Sequence, residues 1–122
     1  MVTEDMNKFL NQPFTADEVH RALRHMYPKK SLGPDGMSPL FFQDFWSLTG
    51  ECVTKTVLDF LNLGNVPPNF NETYIVLIPK DKNPTKITQY RPISLCNVIF
   101  RFTSKVIANR LKRFLPFIIS EN

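Results

Sequence analysis

The feature that most constrains the fold is a pair of short extended segments separated by a basic linker. Residues Tyr74–Ile78 form an apolar run rich in β-branched side chains, and Pro79 ends the run because proline cannot donate a hydrogen bond to a sheet. The second segment, Tyr90–Leu95, contains an Arg-Pro pair, and a residue before proline is kept out of the helical conformation. We therefore predict a two-stranded β element over about 73–79 and 91–95. So small a sheet is marginal alone, and we expect it to pack on helices.

The linker between the two segments is basic. It carries Lys80, Lys82 and Lys86, and Arg91 follows in the second segment. These residue types suit phosphate, since lysine offers a mobile point charge and arginine a rigid fork of donors. An ordinary solvated hairpin is the alternative, and the charges alone do not decide between them.

Charge is unevenly distributed along the chain. Its 122 residues are enough for at most one ordinary domain. Residues 1–72 hold 6 Lys and Arg against 9 Asp and Glu, whereas residues 73–122 hold 9 against 2. The halves therefore carry −3 and +7, which gives the net charge of +4. A basic half beside an acidic half indicates a polyanionic partner on one side.

The two cysteines and the apolar runs bear on the compartment. Cys52 and Cys96 form no CxxC motif, so we expect reduced, structural cysteines in an intracellular protein. A single disulfide between them is the alternative. Nucleus and cytoplasm are not distinguished. No apolar run approaches the roughly 20 residues of a membrane span, and the amino terminus lacks a signal-peptide pattern. We expect a soluble protein without a membrane partner.

Helical patterns fill most of the remaining chain. Thr15 and Glu18 form a capping box, Gly50 predicts a helix break, and Asn97 is placed to cap the last helix. Residues 1–13 show no clear period. The predicted helices cover about 15–27, 38–48, 51–63 and 97–115. Together with the β element, this pattern predicts an α+β fold that is mostly helical.

The histidine and aromatic residues are better explained by packing in the fold than by metal binding or base stacking. His20 and His25 are too far apart around a helix to share a metal ion, so we expect no metal site. The helix beginning at Ser38 is strongly aromatic, with Phe41, Phe42, Phe45 and Trp46. These rings could stack on bases, but so apolar a stripe is more typical of a core.

A fixed turn follows the first predicted helix. It consists of Gly33, Pro34, Asp35 and Gly36, which we call the GPDG loop. Proline presets φ, and the second glycine tolerates a positive φ. The loop is not a P-loop, because no Gly-Lys-Ser/Thr follows. Lys29 and Lys30 beside it could contact nucleic-acid phosphates, or the segment could be a rigid connector with solvated lysines.

The last predicted helix carries a narrow cationic stripe. Arg101, Lys105 and Lys112 fall within about 40° on a helical wheel, while apolar residues cover most of the rest. Such a stripe is usually a solvated face. The basic linker just upstream favours a polyanion that both contact.

Longer stretches carry a family resemblance. KSLGPDGMSPLFFQDFW, and then VLDFLNLGNVPPNFNETYIVLIPKDKNPTKITQYRPISLCNVIFRFTSKVIANRLKRFLPFIIS, resemble the start of the reverse transcriptase of plant-type LINE (non-LTR) retrotransposons. The ordered set GPDG, LIPK, YRPISL and NRL is more specific than any one of its members. The usual first motif is KSPGPDG, so Leu32 departs from the family's proline and loosens the predicted rigidity of the loop.

The resemblance implies part of a right-hand polymerase. Residues 1–37 would be an amino-terminal extension with the GPDG loop and residues 38–122 the fingers, with palm and thumb absent. Lys80 and Arg91 resemble the positions whose cations meet the triphosphate of the incoming nucleotide. The GPDG loop resembles a motif that lies along the template. The expected template-binding residues are Lys29, Lys30, Gly33, Pro34, Asp35, Gly36, Lys82, Lys86, Arg101 and Lys105.

The resemblance also implies what the chain lacks. Enzymes of this kind hold Mg²⁺ with palm aspartates, which lie downstream in the family. We therefore expect no catalytic residue and no cofactor in this chain, and no polymerisation by it alone. In a complete enzyme the partners would be an RNA or DNA template and a deoxynucleotide, and the palm would dock on exposed apolar surface. A stand-alone nucleic-acid-binding module and a truncated retroelement relic without activity are the alternatives.

Overall fold

The structure is a computed structural model that describes residues 1–119. This part of the chain forms an α+β fold, as predicted, in which helices dominate and the two strands form one antiparallel pair. The helices are α1 (Glu4–Leu10), α2 (Ala16–Arg24), α3 (Pro39–Asp44), α4 (Trp46–Leu63), α5 (Val98–Lys112) and α6 (Leu115–Ile118). The strands are β1 (Thr73–Pro79) and β2 (Tyr90–Cys96), and a 3₁₀ turn (Ile87–Gln89) precedes β2.

The first helix corrects the prediction of an irregular lead over residues 1–13. Thr3 caps α1, because its hydroxyl accepts a hydrogen bond from the Met6 N–H at 3.2 Å. No residue of α1 is fully buried. A helix that buries no face needs no apolar stripe, which is why the sequence shows no helical period there. The Phe9 ring instead contacts Phe114 edge-on, with ring centroids 5.3 Å apart.

The capping box at the start of α2 is confirmed. The Thr15 N–H donates to the Glu18 carboxylate at 2.9 Å, and the Glu18 N–H donates back to the Thr15 hydroxyl at 3.4 Å. The helix that follows ends at Arg24, three residues before the predicted end. The capping motif thus predicted the start of α2 more accurately than the apolar pattern predicted its end.

The predicted helix break at Gly50 was wrong. The break lies at Phe45, and Gly50 is inside α4. A Cβ atom at Gly50 would lie only 2.7 Å from the Trp46 indole, so the glycine leaves room for that ring. The indole in turn stacks on His20, with ring centroids 5.4 Å apart and planes 6° from parallel.

The core lies where α2, α3, α4 and α5 meet. Phe42 of α3 contacts Phe102 of α5 edge-on, so one aromatic residue of α3 is core as expected. Phe41 and Phe45 remain 37% and 47% exposed. The buried apolar residues of the cluster are Val19, Ala22, Leu23, Met26, Phe42, Val53, Val57, Val98, Phe102 and Val106.

The two strands form a ribbon that projects from the helices. Its register runs from Thr73 opposite Cys96 to Pro79 opposite Tyr90. Every residue of β1 is exposed, and Ile75 is 69% exposed. The expectation that the sheet packs on the helices was therefore wrong, because the helices fill their core with their own side chains. The ribbon thus leaves apolar surface uncovered.

The end of the chain and the cysteines complete the fold. The last long helix was predicted to reach residue 115, but α5 ends at Lys112, and Pro116 lies in the first turn of α6 rather than after a helix. Cys52 and Cys96 are both free. Within residues 1–119, no helix is both long and apolar enough to cross a membrane.

Candidate nucleic-acid interface

The linker at the tip of the ribbon is held by hydrogen bonds. The Lys80 N–H donates to the Gln89 carbonyl at 2.8 Å, and the Lys80 ammonium donates to the Thr88 carbonyl at 3.0 Å. The Gln89 side-chain oxygen accepts from the N–H groups of Thr85 at 2.7 Å and Lys86 at 2.9 Å. The tip therefore has a defined shape. Its cations, Lys80, Lys82 and Lys86, are all exposed.

Arg91 lies in β2 directly opposite Ile78. Its side chain is exposed and forms none of the ion pairs found within residues 1–119, which join Arg21 to Asp17, Lys55 to Asp59 and Arg110 to Glu18. Asp81, the carboxylate nearest in sequence, does not pair with it. The guanidinium is thus available to an anion, while strand pairing fixes its backbone.

The GPDG loop is a tight turn pressed against the end of β2. The Gly36 N–H donates to the Gly33 carbonyl at 3.0 Å, and Gly36 has a φ of 65°, as a glycine at that position allows. A Cβ atom at Gly33 would lie 2.3 Å from the Cys96 carbonyl oxygen. The first glycine therefore permits the close approach of the loop to the ribbon's base.

Asp35 anchors the loop to the start of α5. Its carboxylate accepts hydrogen bonds from the Val98 N–H at 2.7 Å and from the Met37 N–H at 3.2 Å. Asn97 occupies the N-cap position of this helix, as predicted, but its side chain makes no capping hydrogen bond. Its side-chain oxygen accepts from the Asp35 N–H at 2.9 Å, and its amide donates to the Asn69 carbonyl at 3.0 Å.

Arg101 joins the same loop to the ribbon. Its guanidinium donates to the Cys96 carbonyl at 3.0 and 2.9 Å and to the Ser31 carbonyl at 2.8 Å. Ser31 precedes the GPDG loop and Cys96 ends β2, so one side chain ties both segments to α5. This structural role accounts for Arg101, whose expected template contact stays a prediction.

Five of the six cations expected to bind template fall into two groups. Lys30, Arg101 and Lys105 line one cleft of about 430 Å³ beside α5. Lys82 and Lys86 are instead on the linker at the ribbon's far end. From Arg91 to Cys96, at the base, β2 extends roughly 17 Å at the usual rise of a strand. Lys29 is exposed but does not line this cleft.

Arg110 is the residue whose importance the sequence did not reveal. Its side chain is 5% exposed and pairs with Glu18 through two hydrogen bonds of 2.9 and 2.8 Å. It also donates to the carbonyls of Leu10, Gln12 and Pro13, and its guanidinium carbon lies 3.7 Å from the centroid of the Phe14 ring. Arg110 therefore holds the α1–α2 connection against α5.

This pairing sets the ionisation of Glu18. Partial burial alone would raise its pKa, but hydrogen bonds from Arg110 and from the Thr15 N–H, with the nearby positive charge of Arg110, act more strongly together. They hold the pKa of Glu18 below its ordinary value. Glu18 is therefore a carboxylate near neutral pH, and it balances the buried guanidinium.

A metal site is absent from the part of the chain described. Among residues 1–119, no three His, Cys, Asp or Glu side chains are grouped so that they could hold a metal ion. The polar groups of the interface are cations, turn backbone and carbonyl-bound arginines. They can bind and orient an anion.

Sequence comparison relates the chain to proteins of transposable elements. No family model matches the chain. It is 33% identical over 119 residues, 98% of its length, to the transposon TX1 uncharacterized 149 kDa protein of Xenopus laevis. It is 27% identical over 104 residues to the retrovirus-related Pol polyprotein from type-1 retrotransposable element R2 of Nasonia vitripennis, and 29% identical over 83 residues to that of Bradysia coprophila. These matches cover 85% and 67% of the chain.

One relative is therefore a transposon protein and two are retrotransposable-element polyproteins, and all three are far longer than this chain. The chain spans 9%, 10% and 9% of the length of these curated relatives. The similarity supports a retroelement-derived sequence, in agreement with the reverse-transcriptase resemblance of its motifs.

Proposed function

We propose that the chain is part of the fingers of a reverse transcriptase encoded by a retrotransposable element. It contributes contacts to the template and to the incoming nucleotide and is not active alone. The observation that carries this proposal is the similarity over nearly the whole chain to a transposon protein, together with similarity to two retrotransposable-element Pol polyproteins. The order of the GPDG, LIPK and YRPISL motifs in the sequence supports the same function.

Lys80 and Arg91 are the proposed contacts to the nucleotide triphosphate. Arg91 is exposed and has no carboxylate partner within residues 1–119, and Lys80 is partly fixed by the Thr88 carbonyl. Fixed cations stabilise the charge that develops on a transferring phosphoryl group. The Mg²⁺ ions of such a reaction would be held by the palm of the complete enzyme.

The template is proposed to contact the GPDG loop and the lysines around it. Lys29 and Lys30 would contact phosphates, Lys105 would do so from α5, and Lys82 and Lys86 would do so from the ribbon tip. Arg101 supports this role by fixing the loop through its bonds to backbone carbonyls. In this proposal residues 1–37 are the amino-terminal extension and residues 38–122 the fingers.

The exposed apolar faces of the ribbon are the proposed contact with the rest of the polymerase. Ile75, Leu77 and Ile78 are 69%, 46% and 43% exposed, which is unfavourable in water. A neighbouring domain that covered them would remove this surface from solvent and hold the ribbon tip in position over the nucleotide.

Steady-state kinetics of a complete polymerase that carries this segment tests the proposal. We expect Arg91→Ala to lower kcat/KM for the deoxynucleotide about ten- to a hundred-fold, which corresponds to the loss of one charge-assisted contact. Lys82→Ala is the matched control and should have a smaller effect, because its backbone lies outside the strands. A lower melting temperature for Arg91→Ala with an unchanged nucleotide KM would refute the nucleotide role.

A further inference from the structure

Two clefts on the helical body meet along α5. One, of about 730 Å³, is lined by Lys112 near the end of the helix, and the other, of about 430 Å³, is lined by Tyr27 and Lys30. His25 and Lys105 line both clefts. The clefts are therefore adjacent, and we call them together the α5 groove.

The α5 groove is strongly cationic. Five Lys or Arg side chains line the first cleft and three line the second, with Lys105 shared, so the groove holds seven of the chain's 15. It holds one of the 11 Asp and Glu, namely Glu18, which is already paired with Arg110. The lining residues therefore carry +6, against a net charge of +4 for the whole chain. Such a groove attracts a polyanion.

Not all of these cations are available to a ligand. Arg21 is paired with Asp17. Arg101 and Arg110 are bound to backbone carbonyls, and Arg110 also to Glu18. The side-chain ammonium groups of Lys30, Lys105 and Lys112 form no hydrogen bond or ion pair within residues 1–119, although all three line the groove. Lys105 and Lys112 lie on the same face of α5, about 10.5 Å apart along its axis. They are spaced to contact successive parts of an extended chain.

An exposed aromatic ring distinguishes single strands from duplexes as the partner. Tyr27 is 64% exposed at the edge of the second cleft, which Met26 and Phe100 also line. Base stacking on an aromatic ring beside a basic groove is how proteins bind single-stranded nucleic acid without sequence preference. The bases of a duplex already stack on each other and do not offer their faces.

We propose that the α5 groove binds single-stranded nucleic acid, with Lys30, Lys105 and Lys112 on phosphates and a base on Tyr27. This site differs from the ribbon tip. The proposal rests on the nucleic-acid-binding function proposed above, and it locates one path of the strand along α5.

Anisotropy of a short fluorescein-labelled oligouridylate, titrated with the chain between about 50 and 200 mM salt, tests the groove. We expect the double variant Lys105→Gln/Lys112→Gln to reduce the slope of log affinity against log salt by about 1.4, since each lost phosphate contact removes about 0.7. Lys8→Gln/Lys55→Gln is the control, because it removes the same charge outside the groove. Circular dichroism checks that both variants are folded.

Tyr27 provides the second measurement. Tyr27→Ala should weaken binding about five- to a hundred-fold, whereas Tyr27→Phe should bind like the wild type because it keeps the ring. The groove would be overturned as a single-strand site if both charge variants lost the same affinity for the oligouridylate. It would also be overturned if Tyr27→Ala bound like the wild type and polyglutamate displaced the oligouridylate. If the wild type binds and the groove variants bind equally well, this inference fails alone. If the wild type does not bind at low salt, nucleic-acid binding by this chain fails as well.

Discussion

The Asp35 carboxylate accepts a hydrogen bond from the Val98 N–H at 2.7 Å, across 63 positions of sequence. The first N–H groups of a helix have no partner within the helix, and the side chain of the residue just before the helix usually accepts from one of them. Here Asp35 takes that role for α5. The Asn97 side chain accepts from the Asp35 N–H in return. The GPDG loop and the start of α5 therefore hold each other, so the loop cannot move without uncapping the helix.

Removing the Asp35 carboxylate should destabilise the protein. We expect Asp35→Ala to lower the free energy of unfolding by about 1–2 kcal/mol, the usual cost of losing a helix cap. Urea unfolding followed by circular dichroism measures it. Asp81→Ala is the control, because Asp81 is exposed and forms no ion pair within residues 1–119. Equal stability of the two variants would contradict the capping role.

The two glycines of the loop should differ in their tolerance of alanine. Gly33→Ala would place a Cβ atom 2.3 Å from the Cys96 carbonyl oxygen, so the loop must move away from β2. Gly36→Ala has open space but a φ of 65°, which costs about 1–2 kcal/mol for an L-residue. We expect Gly33→Ala to be the less stable in thermal melts. The opposite order would show that the loop is not held against the ribbon.

Stability should depend on the ionisation of Glu18. Its pKa is lower in the folded chain, so its contribution is fully present above the unfolded value near 4.5 and is lost as pH falls through the folded pKa. Glu18→Gln should cost about 1–3 kcal/mol at neutral pH, because Arg110 loses its charged partner. The variant should also lose less stability than the wild type between pH 5 and acid. Parallel profiles of urea midpoint against pH would argue against this pair.

The exposed ribbon should tolerate polar substitution. Ile75 is 69% exposed, so Ile75→Thr should leave the free energy of unfolding within about 0.5 kcal/mol of the wild type and reduce aggregation. Val57→Thr is the matched control, because Val57 is 0% exposed and a hydroxyl would be buried in the core. Light scattering and chemical unfolding measure the two effects. A strong loss of stability in Ile75→Thr would mean that the ribbon is packed in solution.

Sequence reasoning succeeded where the determining contacts are local. The capping box of Thr15 and Glu18 and the proline that ends β1 act within a few residues, and both elements begin or end as predicted. It failed at Gly50, where the ring of Trp46 needs space. It was half right at Asn97, which occupies the N-cap position of α5 while Asp35 accepts the capping hydrogen bond. Those outcomes depend on packing and on contacts between distant segments, which no local pattern records.

The candidate site divides in the same way. Lys80 and Arg91 are exposed on the linker and on β2, and their expected contact with a nucleotide stays a prediction. The engagement of Arg101 with the Ser31 carbonyl could not be read from a helical wheel, because its partner lies 70 positions away. Arg110 looked like one more cation of a basic half, since only the fold brings Glu18 to it.

Arg110 also bears on the order in which the chain folds during synthesis. The carbonyls of Leu10, Gln12 and Pro13 accept hydrogen bonds from Arg110, which is synthesised 97 to 100 positions later. Asn62 can bind the Phe14 backbone earlier, through hydrogen bonds of 2.8 and 3.0 Å, but residues 10–13 lack their donor until Arg110 leaves the ribosome. Closing so long a loop is slow. We therefore expect the amino-terminal helix to be the last element to become protected from proteases on the nascent chain.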